Sequence, residues 1–303
     1  MTDLSIQIAG HKYANPVWLA SGTCAYGREL ADYFPLSSLG AIVTKTITLE
    51  PRLGHPSPRV FETPSGMLNA IGLQNDGIRD FISNKIKFLG QHRADLIVNI
   101  AGKSISEYCQ LCEQLTGIYD IISAIELNMS CPNVSNGLEF SKNAELAEQL
   151  VKMARKSTHL PLIAKLSPNV SNIVEIAQAV EQGGADAISM INTLVGMAVD
   201  IETFKPRLSN VTGGLSGPAI KPVALAMVYR TYQQIKIPII GIGGIMNYKD
   251  AIEFMLCGAQ AVQVGTANFV NPMASIEILN GMQNWLQEKG YDSPSEIVGK
   301  VEA

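Results

Sequence analysis

Apolar residues fall in eight short runs, at 17–20, 41–45, 96–100, 124–128, 162–166, 187–192, 239–242 and 261–264. The runs are rich in isoleucine and valine, as expected for strands of a parallel sheet covered on both faces. Between them lie stretches with helical spacing, such as 144–157, 173–182 and 249–257. Asn247 can cap the last of these, and Asp250 falls in its first turn, where a carboxylate favours the helix. Eight β–α alternations in about 250 residues predict an α/β fold, the (β/α)8 TIM barrel, with its active site at the C-terminal face of the strands. An open doubly wound sheet is the competing arrangement. It usually has fewer strands and a glycine-rich turn after the first, and Ser21-Gly22-Thr23 is a poor version of that turn. No linker, repeat or low-complexity tract divides the chain, so a single barrel domain over 1–303 is expected.

Two spacings exceed a helical crossover. Residues 46–95 contain a Pro/Gly/Asn-rich part at 51–75, and residues 193–238 contain a Gly/Pro-rich stretch at 196–218. Both follow strands, so both should lie over the C-terminal face as lids or pocket walls.

Composition narrows the partners. Charged residues make up 17% of the chain and the formal net charge is -4, with no basic run, which argues against nucleic acid or an anionic membrane as the main partner. No signal-peptide core and no apolar stretch of about 20 residues occurs, so a cytoplasmic protein is expected. Five cysteines are few and odd in number, which suits a reducing compartment. Cys109 and Cys112 fall in a helical pattern without a second pair to complete a metal set, and read as packing. The four histidines show no ligand spacing, and no metal site is expected.

The residues that end the runs are polar or small: Ser21, Lys45, Asn99, Asn128, Lys165, Asn192, Thr193, Gly243, Gly244, Gly265 and Thr266. Strands often end so, but two lysines at buried strand ends need an anion or polar partner to offset desolvation. The cluster points to a polar, negatively charged ligand over the barrel mouth. Glycines after the seventh and eighth runs mark the place where barrels often bind phosphate. The flexible stretch 213–217 could close on the same ligand.

The most informative segment is Asn128-Met129-Ser130-Cys131-Pro132-Asn133. It sets a thiol just past a strand end, between amides that can orient a planar polar ligand. Pro132 pushes Cys131 towards an extended conformation. A thiol in such a polar loop reads as chemical, since a packing cysteine usually sits within an apolar face.

That segment, with Thr44-Lys45-Thr46, the stretch Asn69 to Asn75, Ala164 to Asn169, Ile191-Asn192-Thr193, Gly214 to Gly217 and Gly241 to Gly244, resembles the class 1 dihydroorotate dehydrogenases over nearly the whole chain. Residues 15–22 and 99–102 are more similar to the class 1B catalytic subunit than to the fumarate-using class 1A enzyme, and cysteine at 131 separates the chain from the quinone-using class 2. The resemblance implies FMN as cofactor and oxidation of (S)-dihydroorotate to orotate in pyrimidine biosynthesis. Cys131 would be the base. Lys45, Asn69, Ala70, Ile71, Gly72, Leu73, Asn128, Asn192 and Thr193 would hold the substrate, with Asn133 a weaker candidate. Ser21, Lys45, Thr46, Asn99, Asn128, Lys165, Ile191 and Gly217 would contact the flavin, and Gly243, Gly244, Gly265 and Thr266 its phosphate. It further implies a partner subunit with FAD and a [2Fe–2S] cluster that passes electrons to NAD+, and a homodimer within a heterotetramer. The rival readings are a class 1A-type enzyme using fumarate, a flavin-free barrel lyase with Lys45 or Lys165 as a Schiff-base amine, and an electron-carrying flavoprotein subunit without its own substrate.

Overall fold

The structure, a computed structural model, describes residues 2–118, 121–130 and 140–302. Eight parallel strands close into a barrel in sequence order: β1 (Val17–Leu19), β2 (Ala41–Val43), β3 (Leu96–Ile100), β4 (Ile122–Asn128), β5 (Leu162–Leu166), β6 (Ala187–Met190), β7 (Ile239–Ile242) and β8 (Ala259–Val264), with β8 pairing back to β1. Each of the eight apolar runs overlaps one of these strands, and three match it residue for residue. The helices Ala144–Ser157 and Ile173–Gln182 also fall where their spacing places them. The third, Tyr248–Leu256, opens with the Asn247–Asp250 capping box, in which each side chain accepts from the other residue's backbone N–H.

Because side chains alternate along a strand, each barrel strand serves two cores. Ile125, Leu127, Leu162, Leu166, Ile188 and Val262 point outward and pack with the surrounding helices. Trp18, Ala41, Val43, Ile97, Ala124, Ile163, Ala187, Ile240 and Ala261 point inward and fill the barrel. An N-terminal hairpin, Ile6–Ile8 with His11–Tyr13, adds Ile6, Ile8 and Tyr13 to that inner cluster and seals one end of it. The hairpin has no counterpart in the eight-run pattern.

The two long connections meet each other. Val60–Thr63 and Gly66–Asn69, after β2, join Leu194–Met197 and Thr212–Ser216, after β6, in a four-stranded antiparallel sheet. Both segments were expected over the C-terminal face; their pairing with one another is a structural finding. A smaller hairpin, Val199–Asp200 with Lys205–Pro206, stands beside them in the chain. Among the described residues no helix is long and apolar enough to cross a membrane.

Candidate active site

Inside the barrel the alternation that fills the lower layer with apolar groups places polar ones directly above. On β4, Ala124 is followed two residues on by Glu126 and then by Asn128, and the equivalent step gives Asn99 on β3, Lys165 on β5, Ser189 on β6 and Gln263 on β8. The Glu126 carboxylate is 0% exposed. It accepts from Asn99 Nδ2 at 2.5 Å, Ser189 Oγ at 2.7 Å and Gln263 Nε2 at 2.9 Å, and Lys165 Nζ stands 3.5 Å away. Four neighbours, all donors, make the set an ionised carboxylate takes.

Above this layer opens a cavity of about 480 Å³, within the range of ligand and cofactor sites. The paired long connections form one wall through Met67, Asn69 and Ser216. At one side three strand ends and their loops bring amides and hydroxyls together. Asn192 Nδ2 donates to Ser130 Oγ at 3.0 Å and to Asn128 Oδ1 at 3.4 Å, and Asn128 Nδ2 donates to Thr46 Oγ1 at 3.4 Å. The Tyr108 hydroxyl fixes the strand end by donating to the Asn128 carbonyl at 2.6 Å. Lys45 also lines the cavity; burial pushes its ammonium pKa down, Asp76 opposes this and Arg59 adds to it.

On another side the wall is bare backbone. Gly217, Gly243 and Gly244 have φ of 94°, 128° and 74°, in a region that side chains rarely tolerate. At Gly244 a Cβ would stand 2.8 Å from the Gly217 carbonyl oxygen and from Lys221 Cβ. Thr266 Oγ1 donates to Ser216 Oγ at 2.9 Å beside them. The Lys221 ammonium is committed to Asp250 at 2.6 Å and Glu253 at 2.9 Å. An anion at this end is therefore met by backbone N–H groups and hydroxyls, without that lysine's charge.

Ser21, Lys45, Thr46, Asn69, Ile71, Leu73, Asn128, Lys165, Ile191, Asn192, Thr193, Gly217, Gly243, Gly244, Gly265 and Thr266 all line this one cavity. Three predicted residues stand behind its wall. Asn99 is fully buried as a support for Glu126, Ala70 packs with Leu68 and Leu208, and Gly72 makes a positive-φ turn against His55. Cys131 and Asn133 lie outside the described residues. Cys24 is buried with its thiol near the Ala20 and Val43 carbonyls, and burial pushes its pKa up to about 12, which suits packing.

Sequence reasoning missed Arg59, Gln263 and Glu126. Arg59 lines the cavity and donates to Gln74 Oε1 at 2.7 Å. Gln263 lines it too, and among the described residues its buried Oε1, like Asn99 Oδ1, has no partner, which leaves acceptors for an N–H-bearing ligand edge. Glu126 was hidden within an apolar run; its signal was the shared alternation with Asn128 and with Asn99 across the strand pair. An orphan acceptor and an ammonium on the floor, with a glycine-walled end for an anion, fit a planar heterocycle carrying a phosphate.

Comparison with known proteins agrees with this geometry. The sequence profile of the family described as dihydroorotate dehydrogenase matches residues 3–286. The dihydroorotate dehydrogenase B (NAD(+)) catalytic subunit of Geotalea uraniireducens is 52% identical over 300 residues, 99% of this chain and 98% of that protein. The protein of the same name from Pelobacter propionicus is 52% identical over 301 residues, and that from Alkaliphilus oremlandii 51% over 300, each covering 99% of both chains. A closed parallel barrel, a polar cavity at the ends of its strands and sequence agreement along almost the entire length place this chain in the dihydroorotate dehydrogenase family.

Proposed function

We propose that the chain is the catalytic subunit of an NAD+-linked dihydroorotate dehydrogenase, a single cytoplasmic barrel domain that binds FMN and oxidises (S)-dihydroorotate to orotate. The observation that carries this reading is the one cavity running from the Asn128–Asn192 amide cluster, past Lys165 and Gln263, to the bare glycine backbone. When bound, FMN supplies the two-electron acceptor for the hydride released from the substrate ring.

The chain's own residues do the rest. Cys131, as thiolate, takes the proton from the carbon next to the ring carbonyl, so that Sγ gains H+ while the neighbouring C–H leaves with its electron pair. Asn69, Asn128 and Asn192 can donate to ring carbonyls and accept from ring N–H groups, which fixes the substrate in one orientation. Lys45 offers its charge to the substrate carboxylate. Lys165 and Gln263 on the floor would hold the flavin ring, offering a positive charge and an acceptor, and Gly243, Gly244, Gly265 and Thr266 would hold the phosphate. The electrons then leave through a partner subunit, proposed to carry FAD and a [2Fe–2S] cluster in a heterotetramer. The names of the relatives, each a "catalytic subunit", support a separate partner.

Anaerobic addition of dihydroorotate to the purified yellow protein tests the reading. Bleaching of the flavin is expected, with turnover on NAD+ only when the partner subunit is added. Unbleached flavin would leave only an electron carrier, and a colourless protein trapped on a carbonyl substrate by borohydride would identify a Schiff-base lyase. Turnover with fumarate and no partner would move the chain to the class 1A type.

The phosphate placement has its own check. Gly244→Ala forces a methyl against the Gly217 carbonyl, whereas a methyl at Gly265 meets its nearest atom at 3.5 Å, an ordinary contact. Gly244→Ala is expected to weaken flavin binding tenfold or more, about 1.4 kcal/mol, while Gly265→Ala retains it. Equal flavin-to-protein absorbance ratios in both variants would move the phosphate elsewhere.

A further inference from the structure

A carboxylate with no solvent exposure is costly unless it is fully paired. Glu126 meets that requirement with neutral groups first: Asn99, Ser189 and Gln263 approach it at 2.5, 2.7 and 2.9 Å. Lys165 Nζ, at 3.5 Å, is in ionic contact but lies past the range of a strong hydrogen bond. Its N–H donors are therefore not consumed by Glu126, and its side chain, 7% exposed, reaches the cavity above. The arrangement is a stack, with the anion beneath, the cation at the floor and the ligand space over it. Gln263 ties the same layers together, donating down to Glu126 with its unpartnered Oε1 in a residue of the cavity wall.

Reduction adds electrons to a flavin, so a cation in contact with it favours the reduced form and an anion close behind that cation offsets the effect. We infer that Glu126 is a positioning residue for cofactor reduction: it holds Lys165 at the cavity floor and cancels part of its charge, and so sets the reduction potential of the bound flavin. This inference rests on the flavin reading above. It gives Asn99 a role through Glu126, to which its amide donates.

The test is anaerobic titration of the holoenzyme, with excess FMN present, against a reference dye of known potential. Glu126→Gln is expected to shift the two-electron equilibrium at least tenfold towards reduced flavin, about 30 mV for such a couple. In a Lys165→Met background the same change is expected to give a smaller shift, because the share that comes from holding the lysine in place is lost while the carboxylate's direct field remains. If Glu126→Gln does not fold, Ser189→Ala removes one donor from the carboxylate without touching the cavity wall, and shifts the equilibrium about threefold towards oxidised flavin by leaving more of the anion uncompensated. An unchanged potential in Glu126→Gln, or in Ser189→Ala where that variant stands in, overturns the inference. So does a full-sized shift that persists without Lys165. A wild-type protein that binds no flavin, or whose flavin dihydroorotate does not bleach, overturns the parent reading and this one with it. A bleachable flavin whose potential ignores Glu126 overturns this one alone.

Discussion

Replacing Cys131 with alanine is expected to leave a yellow protein whose flavin dihydroorotate reduces at least a hundredfold more slowly, since a positioned base contributes about 10²–10⁴ in rate. Position in the chain supports the choice of residue. Cys131 directly follows Ser130, which is hydrogen-bonded to Asn128 and Asn192, two residues that line the cavity. The other thiols offer no replacement. Burial pushes Cys24 and Cys112 each up to about 12 and raises Cys257 as well, and Cys109 lies on the outer helix Ile105–Thr116, away from the cavity wall. A free thiol titrates near 8.5, so the wild-type reductive rate should rise with pH from neutrality towards that value as the thiolate fraction grows. The alanine variant should show a flat profile. Anaerobic stopped-flow reduction across pH, at matched flavin content, measures both. A variant rate within about threefold of wild type, with the same pH dependence, would remove Cys131 as the base.

The barrel was legible because its physics is local. A strand buried on both faces must be apolar along its length, and the helices between need one apolar face, so both periods are written in single segments such as 162–166 and 144–157. What escaped was non-local or too short to show a period. Three-residue strands at Ile6–Ile8 and His11–Tyr13 carry no repeat, and their role appears only when Tyr13 packs on Trp18 inside the barrel. Asn69 and Gly214 are paired across 145 positions of sequence, and no segment alone announces that.

The site divided along a similar line. Strand ends could be read as a cluster because a barrel gathers them at one face, and most of the residues so read do line one cavity. The layer beneath could not. Glu126 looks like a lapse in an apolar run until the register sets it opposite Asn99, with Ser189 and Gln263 from two further strands turned to the same carboxylate. The resemblance assigned Asn99 to the flavin; in the structure its amide Nδ2 donates to Glu126, in the same layer as Lys165 and Gln263.

That buried layer governs stability as well as chemistry, and the second large effect is expected there. Lys165→Met leaves Glu126 in the barrel interior with three neutral donors and no cation. Removing one member of a buried ion pair typically costs about 3–5 kcal/mol. The three remaining hydrogen bonds soften the loss here, so about 3 kcal/mol is expected for this variant. Glu126→Gln strands the lysine instead, but with a route to the cavity and its solvent, so about 2 kcal/mol is expected. The double variant removes both charges and leaves neither uncompensated. Its loss should fall short of the sum of the singles by at least about 1.5 kcal/mol, the signature of groups acting as a unit. Urea unfolding of the flavin-free chain keeps cofactor affinity out of the measurement, and an unchanged slope would confirm that the shift in midpoint is a stability change. Strict additivity would mean that the 3.5 Å contact carries no coupling and that Lys165 is held by its packing alone.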